Sequence, residues 1–160
     1  MKLKETILFL CLNILNNANG VEPTRIAGGR ATAMGNSSVT SQDTWSVFNN
    51  QAGISWLKSV GIGVGYENRY LLKELGLKSF GFVLPLKNKG FGLSIQHFGF
   101  SGYNEMKVGI AYSMKFGKNF STGIQLDYFR IGQGEDYGKL NILSFEAGIH
   151  QLGGHAVYLN

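Results

Sequence analysis

Hydrophobic residues alternate with small or polar residues along most of the chain after residue 57, with a period of two. The clearest example is 105–116, where even positions carry Met, Val, Ile, Tyr, Met and Phe and odd positions carry Glu, Lys, Gly, Ala, Ser and Lys. This is the period of a β-strand, whose successive side chains point to opposite faces. The alternation predicts six strands, at 60–67, 80–84, 91–96, 105–116, 120–128 and 143–150. Residues 155–159 are a candidate seventh strand.

The lengths of these strands and of their connections favour a membrane setting. Several strands span about ten residues, as a tilted bilayer-crossing strand requires, whereas soluble strands average about five or six. Short turns containing Gly or Asn, suited to positive φ, alternate strictly with longer polar connections: 87–90, 117–119 and 152–154 are short, and 68–76, 101–104 and 132–138 are long. Outer-membrane barrels sort their connections in this way. The predicted fold is all-β, an antiparallel up-and-down transmembrane β-barrel of which about six or seven strands are present.

The first twenty residues, 1–20, have the organisation of a secretory signal peptide. Lys2 and Lys4 precede an apolar run over 7–15, and 18–20 supplies small residues for cleavage. The run is too short to span a bilayer as a helix. We therefore expect the mature chain to start near Val21, and an N-terminal membrane anchor is the alternative. Cleavage would remove Cys11, the single cysteine, so neither disulfides nor cysteine–zinc sites are expected.

Residues 21–57 lack the alternation and predict a separate segment before the strands of 58–160. Thr40 or Ser41 is suited to cap a short helix that Asn49, Asn50 and Gly53 would end. This segment either packs under or inside the barrel as a plug-like element or is a plain periplasmic lead-in.

The composition of the chain and its candidate motifs restrict the classes of function that we expect. Charged residues make up 16% of the chain, against about 25% in an average soluble domain, and the net charge of +5 is scattered, so nucleic acid is not an expected partner. Glu146 and His150 share a predicted face and give only a weak hint of a metal site. The glycines of 61–65 lack the spacing of a dinucleotide loop, and no Gly-x-Ser-x-Gly elbow occurs. We therefore expect no enzyme, no catalytic residues, no cofactor and no metal.

Two stretches resemble the opening of the PorV/PorQ group of outer-membrane proteins, distant relatives of the FadL-type fatty-acid transporters. GGRATAMGNSSV occupies 28–39 and DTWSVFNNQAG occupies 43–53, where the superfamily has "GARAxGMG" and then "D…NPAG". Gln51 stands where proline is usual in that superfamily, and 64–69 and 123–128 also resemble this group. The resemblance implies a structural role for the matching positions: Gly28, Gly29, Arg30, Met34, Gly35, Asp43, Asn49, Asn50, Ala52 and Gly53.

The resemblance implies a plugged barrel of about fourteen strands in the outer membrane of a Gram-negative bacterium. It implies an accessory or structural role in protein secretion or surface attachment of the type IX kind, with outer-membrane lipid, secretion-system proteins or secreted cargo as partners. The six or seven predicted strands are fewer than the roughly eight of the smallest bacterial barrels, and Asn160 is not the terminal aromatic of a finished barrel. We therefore expect a truncated product or gene fragment, and a small barrel closed by further strands is the alternative.

Two alternative functions remain open. A FadL-like transporter of hydrophobic compounds would need an apolar lumen, whereas the predicted inward positions carry Gly, Ser, Gln, Lys and Asp. A soluble periplasmic β-sheet binding protein would have to account for the strand lengths and the order of the connections.

Overall fold

The computed structural model describes residues 27–68, 72–134, 138–152 and 155–159. The predicted signal peptide, its cleavage site and parts of three predicted connections lie outside these residues. Most of the described chain forms one antiparallel sheet of seven strands, in which each strand pairs with the next in sequence. The strands are β1 (Gly61–Asn68), β2 (Gly76–Leu86), β3 (Lys89–Phe100), β4 (Tyr103–Phe116), β5 (Phe120–Gln133), β6 (Lys139–Gln151) and β7 (His155–Leu159). The all-β prediction is confirmed, and the sheet is open because β1 and β7 are its two edges.

The pairing register preserves the alternation of the sequence across the whole sheet. β4 and β5 contain 14 residues each and pair without interruption from Tyr103↔Gln133 to Phe116↔Phe120. A slip of one residue would move every side chain of a strand to the other face, so continuous pairing keeps the large hydrophobic residues and the small or polar residues on opposite faces. One surface, here called the inward face, includes Ser94, Gly109, Gln125 and Glu146, and the opposite surface is the outward face.

Two predictions about the connections are wrong. The connection predicted over 101–104 is a turn at 101–102, because Tyr103 and Asn104 already belong to β4 and pair with β3. The strict alternation of short and long connections therefore fails there. Among the described residues Asn36 is the one non-glycine at positive φ, so Asn88 does not use that conformation, whereas Gly117 does, with φ +72°.

Residues 27–57, here called the covering segment, lie across the inward face. The segment contains α1 (Gly29–Ala33), α2 (Ser46–Asn49) and a 3-10 helix (Gln51–Trp56), and a second 3-10 helix (Lys73–Leu75) follows β1. In the part of the chain that the structure describes, no helix is long and apolar enough to cross a membrane.

The predicted short helix is present and ends at Asn49, as predicted, but its predicted start is wrong. It begins at Ser46 without a side-chain cap from Thr40 or Ser41. Asp43 instead organises the preceding turn, because its Oδ1 accepts a hydrogen bond from the Trp45 N–H at 2.9 Å. Gly53 does not end the helical stretch, since it lies inside the 3-10 helix.

A small core forms between the covering segment and the inward face. Its buried members include Val47, Phe48 and Ile54 from the segment and Val83 and Ala111 from the sheet. Glycines make this close approach possible. A Cβ at position 92 would lie 2.7 Å from Val47 Cγ2, and a Cβ at position 123 would lie 2.5 Å from the backbone N of residue 52.

The outward face carries the larger hydrophobic side chains, and the described residues leave it uncovered. Its exposed members on five strands are Ile62, Val64, Tyr66, Phe91, Met106, Ile110, Ile124, Leu126, Tyr128, Leu143, Phe145 and Ile149. In a water-soluble sheet with one solvated face, the apolar side is the one packed on the core. This sheet has the opposite arrangement, because its larger apolar side chains lie on the uncovered face.

We expect Gly123→Ala to loosen the covering segment. The added methyl would contact backbone atoms of the segment, which cannot rotate away, and such overpacking costs about 1–3 kcal/mol. Gly29→Ala is the matched control, since nothing lies within 4 Å of a Cβ there. Both Trp residues of the chain, 45 and 56, lie in the segment, so urea titration of tryptophan fluorescence in detergent micelles measures the effect. Equal midpoints for the two variants would contradict the close packing.

Candidate functional site: the inward face and its covering segment

The first group of motif residues surrounds α1. Gly28 precedes the helix with φ +106°, and a Cβ there would lie 2.7 Å from Trp45 Cγ, so the position requires glycine on two grounds. Gly29 and Arg30 are exposed in α1, and Met34 and Gly35 are exposed at its C-terminal end. The structure does not bring these four residues into contact with the sheet's polar side chains.

Asn50 is the main link between the covering segment and the sheet. Its side chain is fully buried, and its Nδ2 donates to the Val39 carbonyl at 3.0 Å and to the Ile149 carbonyl on β6 at 3.1 Å. Its Oδ1 accepts from the Ala52 N–H at 3.1 Å, which caps the 3-10 helix. One amide group therefore satisfies two distant carbonyls and a helix terminus.

The neighbouring motif residues complete this attachment. The carbonyl of Ala52 accepts a hydrogen bond from Ser121 Oγ on β5 at 2.8 Å. Gly53 packs so closely that a Cβ would lie 2.6 Å from the Ser41 carbonyl oxygen. Asn49 is also buried but makes a weaker contact, since its Nδ2 reaches the Ala27 carbonyl at 3.5 Å. These contacts hold the covering segment in place, and the role that the resemblance implies for these residues stays a prediction.

Three charged side chains form a buried cluster in the middle of the inward face. Lys107 on β4 forms ion pairs with Glu146 on β6 and, at 3.5 Å, with Asp127 on β5. The side chains of Asp127 and Glu146 are almost fully buried. The sequence signal that would reveal the cluster is the charge on the small-residue face of three consecutive strands.

The amide of Gln51 connects this charged cluster to the covering segment. Its Nε2 donates to Glu146 Oε2 at 2.6 Å, and on the sheet Gln125 Nε2 donates to Asp127 Oδ1 at 2.8 Å. Gln51 occupies the position at which the resembled superfamily has proline, and proline has no side-chain amide for this bond. In this chain, the glutamine at the proline position of the motif therefore forms a hydrogen bond that proline could not form.

Glu146 and His150, the two residues that gave a weak hint of a metal site, both lie on the inward face. Glu146 contacts Lys107 and Gln51, and His150 Nε2 lies 3.3 Å from the Thr40 carbonyl oxygen. Within the described ranges, no group of three or more His, Cys, Asp or Glu side chains is arranged to hold a metal ion.

The inward face is less polar than predicted near the end of the sheet opposite the turn at 117–119. Leu77, Phe98, Phe129 and Ile131 are buried there, each at the inward parity of its strand. The predicted inward composition of Gly, Ser, Gln, Lys and Asp therefore applies to the middle of the face and not to this end.

Two cavities flank the covering segment. One, of about 540 Å³, lies beside β1 and is lined by Trp45, Tyr66 and Leu77 among others. The other, of about 520 Å³, lies near the turns at 87–88 and 117–119 and is lined by Trp56 and several lysines. Both are within the size range of small-molecule sites, which is roughly 300–1,000 Å³.

No family model, curated protein or solved structure matches this chain. The resemblance to the PorV/PorQ group therefore stays a prediction, and the geometry of the chain itself carries the functional proposal.

We expect Asn50→Ala to destabilise the packed segment by about 3 kcal/mol, at about 1 kcal/mol for each hydrogen bond lost. Asn49→Ala is the neighbouring control and is expected to cost about 1 kcal/mol or less, since a single long hydrogen bond is lost. Urea titrations of tryptophan fluorescence in micelles compare the two. A loss at position 49 equal to that at position 50 would contradict the assigned role of Asn50.

Proposed function

We propose that this chain is an integral component of the outer membrane of a Gram-negative bacterium, with the outward face of its sheet against lipid. The observation that carries the proposal is the exposure of large apolar side chains on that face. Val64 is 77% exposed, Leu143 71% and Ile110 67%. Burying one such side chain stabilises a protein by roughly 1.5–3 kcal/mol, and soluble proteins rarely leave large apolar patches in water. Acyl chains would remove this surface from water.

The dimensions of the strands support the same proposal. β2 to β6 contain 11 to 14 residues each, and about 9–11 residues suffice for a tilted strand to cross the hydrocarbon core. Phe116 and Phe120 stack across the β4–β5 turn with ring centroids 6.2 Å apart, and both are exposed. Exposed aromatic side chains at strand ends suit the interfacial girdles of membrane barrels.

The topology adds a requirement for closure in lipid. A bilayer leaves unpaired backbone groups at an open strand edge without hydrogen-bond partners, so both edges of the sheet need partner strands. Each of the seven strands is antiparallel to the next, so β1 and β7 run in the same direction and could only form a parallel seam. The proposed barrel therefore includes an odd number of further strands between β7 and β1, which gives an even total.

Within this setting, we favour an accessory or structural role in protein secretion or surface attachment of the type IX kind. The covering segment occupies the inward face and is held there by the hydrogen bonds of Asn50 and Gln51. A filled interior suits a barrel that presents a surface to other proteins better than one that passes solutes through its centre. The proposed partners are outer-membrane lipid, secretion-system proteins and secreted cargo, and the proposed role involves no enzymatic activity.

A FadL-like transport function is the second candidate, and one observation favours it. The cavity of about 540 Å³ beside β1 has apolar side chains in its lining, among them Trp45, Tyr66 and Leu77, beside the polar Glu67 and Ser79. Such a lining could accept an acyl chain, because hydrophobic and aromatic side chains dominate most small-molecule sites.

We expect a cysteine at position 143 to be shielded by lipid. In a Cys11→Ser background, Leu143→Cys in isolated outer membranes should resist a water-soluble maleimide, whereas Lys118→Cys in the β4–β5 turn should react. Both should react after unfolding in urea. Because Leu143 is 71% exposed in the chain itself, rapid labelling at both positions would favour the soluble periplasmic alternative.

Disruption of the gene in its native host is expected to reduce the amount of secreted or surface-attached protein and to leave long-chain fatty-acid uptake unchanged. Quantitative proteomics of the medium and cell surface, with a labelled fatty acid in parallel, measures both. The unmodified gene supplied in trans is the control. Loss of uptake with normal secretion would favour the transporter instead, and no change in either would contradict both functions.

A further inference from the structure

The cavity of about 520 Å³ lies at the end of the sheet that holds the short turns at 87–88 and 117–119. Lys58, Lys87 and Lys115 contribute to its lining, and none of the described aspartate or glutamate residues does. The sequence contains no acidic residue over 75–104 or 106–126, the stretches that build this end of β2 to β5. The ion pairs recorded among the described residues use Lys107 and none of these three lysines. The cavity is therefore cationic without internal compensation.

Two of the lining side chains are held in a fixed arrangement. Trp56 Nε1 donates a hydrogen bond to Ser121 Oγ on β5 at 2.7 Å, which anchors the indole ring. The Lys115 ammonium lies 4.3 Å from the centre of that ring, a cation–π contact that holds the charge beside the cavity. Preorganised charge of this kind lowers the ordering cost of binding an anion.

Apart from the polar side chain of Gln42, the remainder of the lining is mainly apolar and extends to the outward face. Leu57, Pro85 and Leu152 line the cavity beside the lysines. Leu86, which also lines it, is exposed and has the strand parity of the outward face. A ligand in this cavity would thus meet positive charge inside and an apolar surface leading towards the proposed lipid side.

We propose that this cavity binds the phosphate headgroup of an anionic phospholipid, with the acyl chains directed along the outward face. The inference rests on the proposed membrane function. Clusters of basic side chains at the membrane boundary recognise anionic headgroups, because each positive charge attracts the negative leaflet surface. A free phosphate would use the lysines but not the apolar lining, and for that reason we assign the lipid as the ligand.

The test measures how many phosphatidylglycerol molecules the full chain retains in neutral detergent after extraction from mixed phosphatidylcholine–phosphatidylglycerol vesicles, by native mass spectrometry. Retention of phosphatidylglycerol over phosphatidylcholine is expected. Lys87→Gln with Lys115→Gln should weaken it by about fivefold for each lysine removed, the factor that corresponds to about 1 kcal/mol. Lys89→Gln with Lys118→Gln removes the same charge from the same end, outside the cavity lining, and should change retention little.

Fluorescence of Trp56 in a Trp45→Phe background provides an independent readout that needs no lysine variant. Brominated phosphatidylglycerol should quench this emission more strongly than brominated phosphatidylcholine at equal mole fraction. Equal quenching by the two lipids, or equal loss with both lysine pairs, would overturn the headgroup site. Displacement by inorganic phosphate at matched concentration would overturn the lipid assignment in favour of a free phosphate.

The same vesicles separate this proposal from the membrane function on which it rests. Shielding of Leu143→Cys from the water-soluble maleimide without a preference for phosphatidylglycerol would sink the headgroup site alone. Labelling of that cysteine in vesicles would sink the membrane function as well.

Discussion

The structure depends on the close approach of the covering segment to a glycine-lined sheet face. Gly92 and Gly123 leave the space that Val47 and the backbone at 51–52 fill, and an extra methyl at either glycine would collide with the segment. Because the inward side chains around these glycines are small, burial on that part of the face cannot come from the sheet alone. The segment supplies the missing apolar groups, and the large hydrophobic residues are left for the outward face.

The buried polar groups determine how the segment sits. Removing Lys107, Asp127 and Glu146 from water is costly, and their mutual attraction offsets that cost only with good geometry and further hydrogen bonds. Gln51 and Gln125 supply such hydrogen bonds to the two carboxylates. Asn50 then fixes the segment against β6 through backbone carbonyls. Apolar packing would tolerate several positions of the segment, whereas these directional bonds favour one.

The strands could be predicted from the sequence because alternation over ten or more residues is a local signal that pairing then reinforces. The start of the short helix could not, since Asp43 forms a turn with Trp45 where a cap from Thr40 or Ser41 was expected. The alternation correctly placed Ser94 and Gln125 on the inward face, but a strand pattern alone does not give the burial of their side chains. The link from Gln51 to Glu146 was missed for the same reason, since 95 positions separate the two residues.

The central proposal is that the outward face of this sheet contacts lipid. Nitroxide labels placed singly at 122–129 on β5, in the full chain reconstituted in vesicles, test it most directly by power-saturation electron paramagnetic resonance. Even-numbered positions, which include Ile124 and Leu126, should collide strongly with dissolved oxygen and weakly with a water-soluble nickel chelate, with a period of two. Strong collisions with the nickel chelate at those even positions would place the apolar face in water and contradict the account.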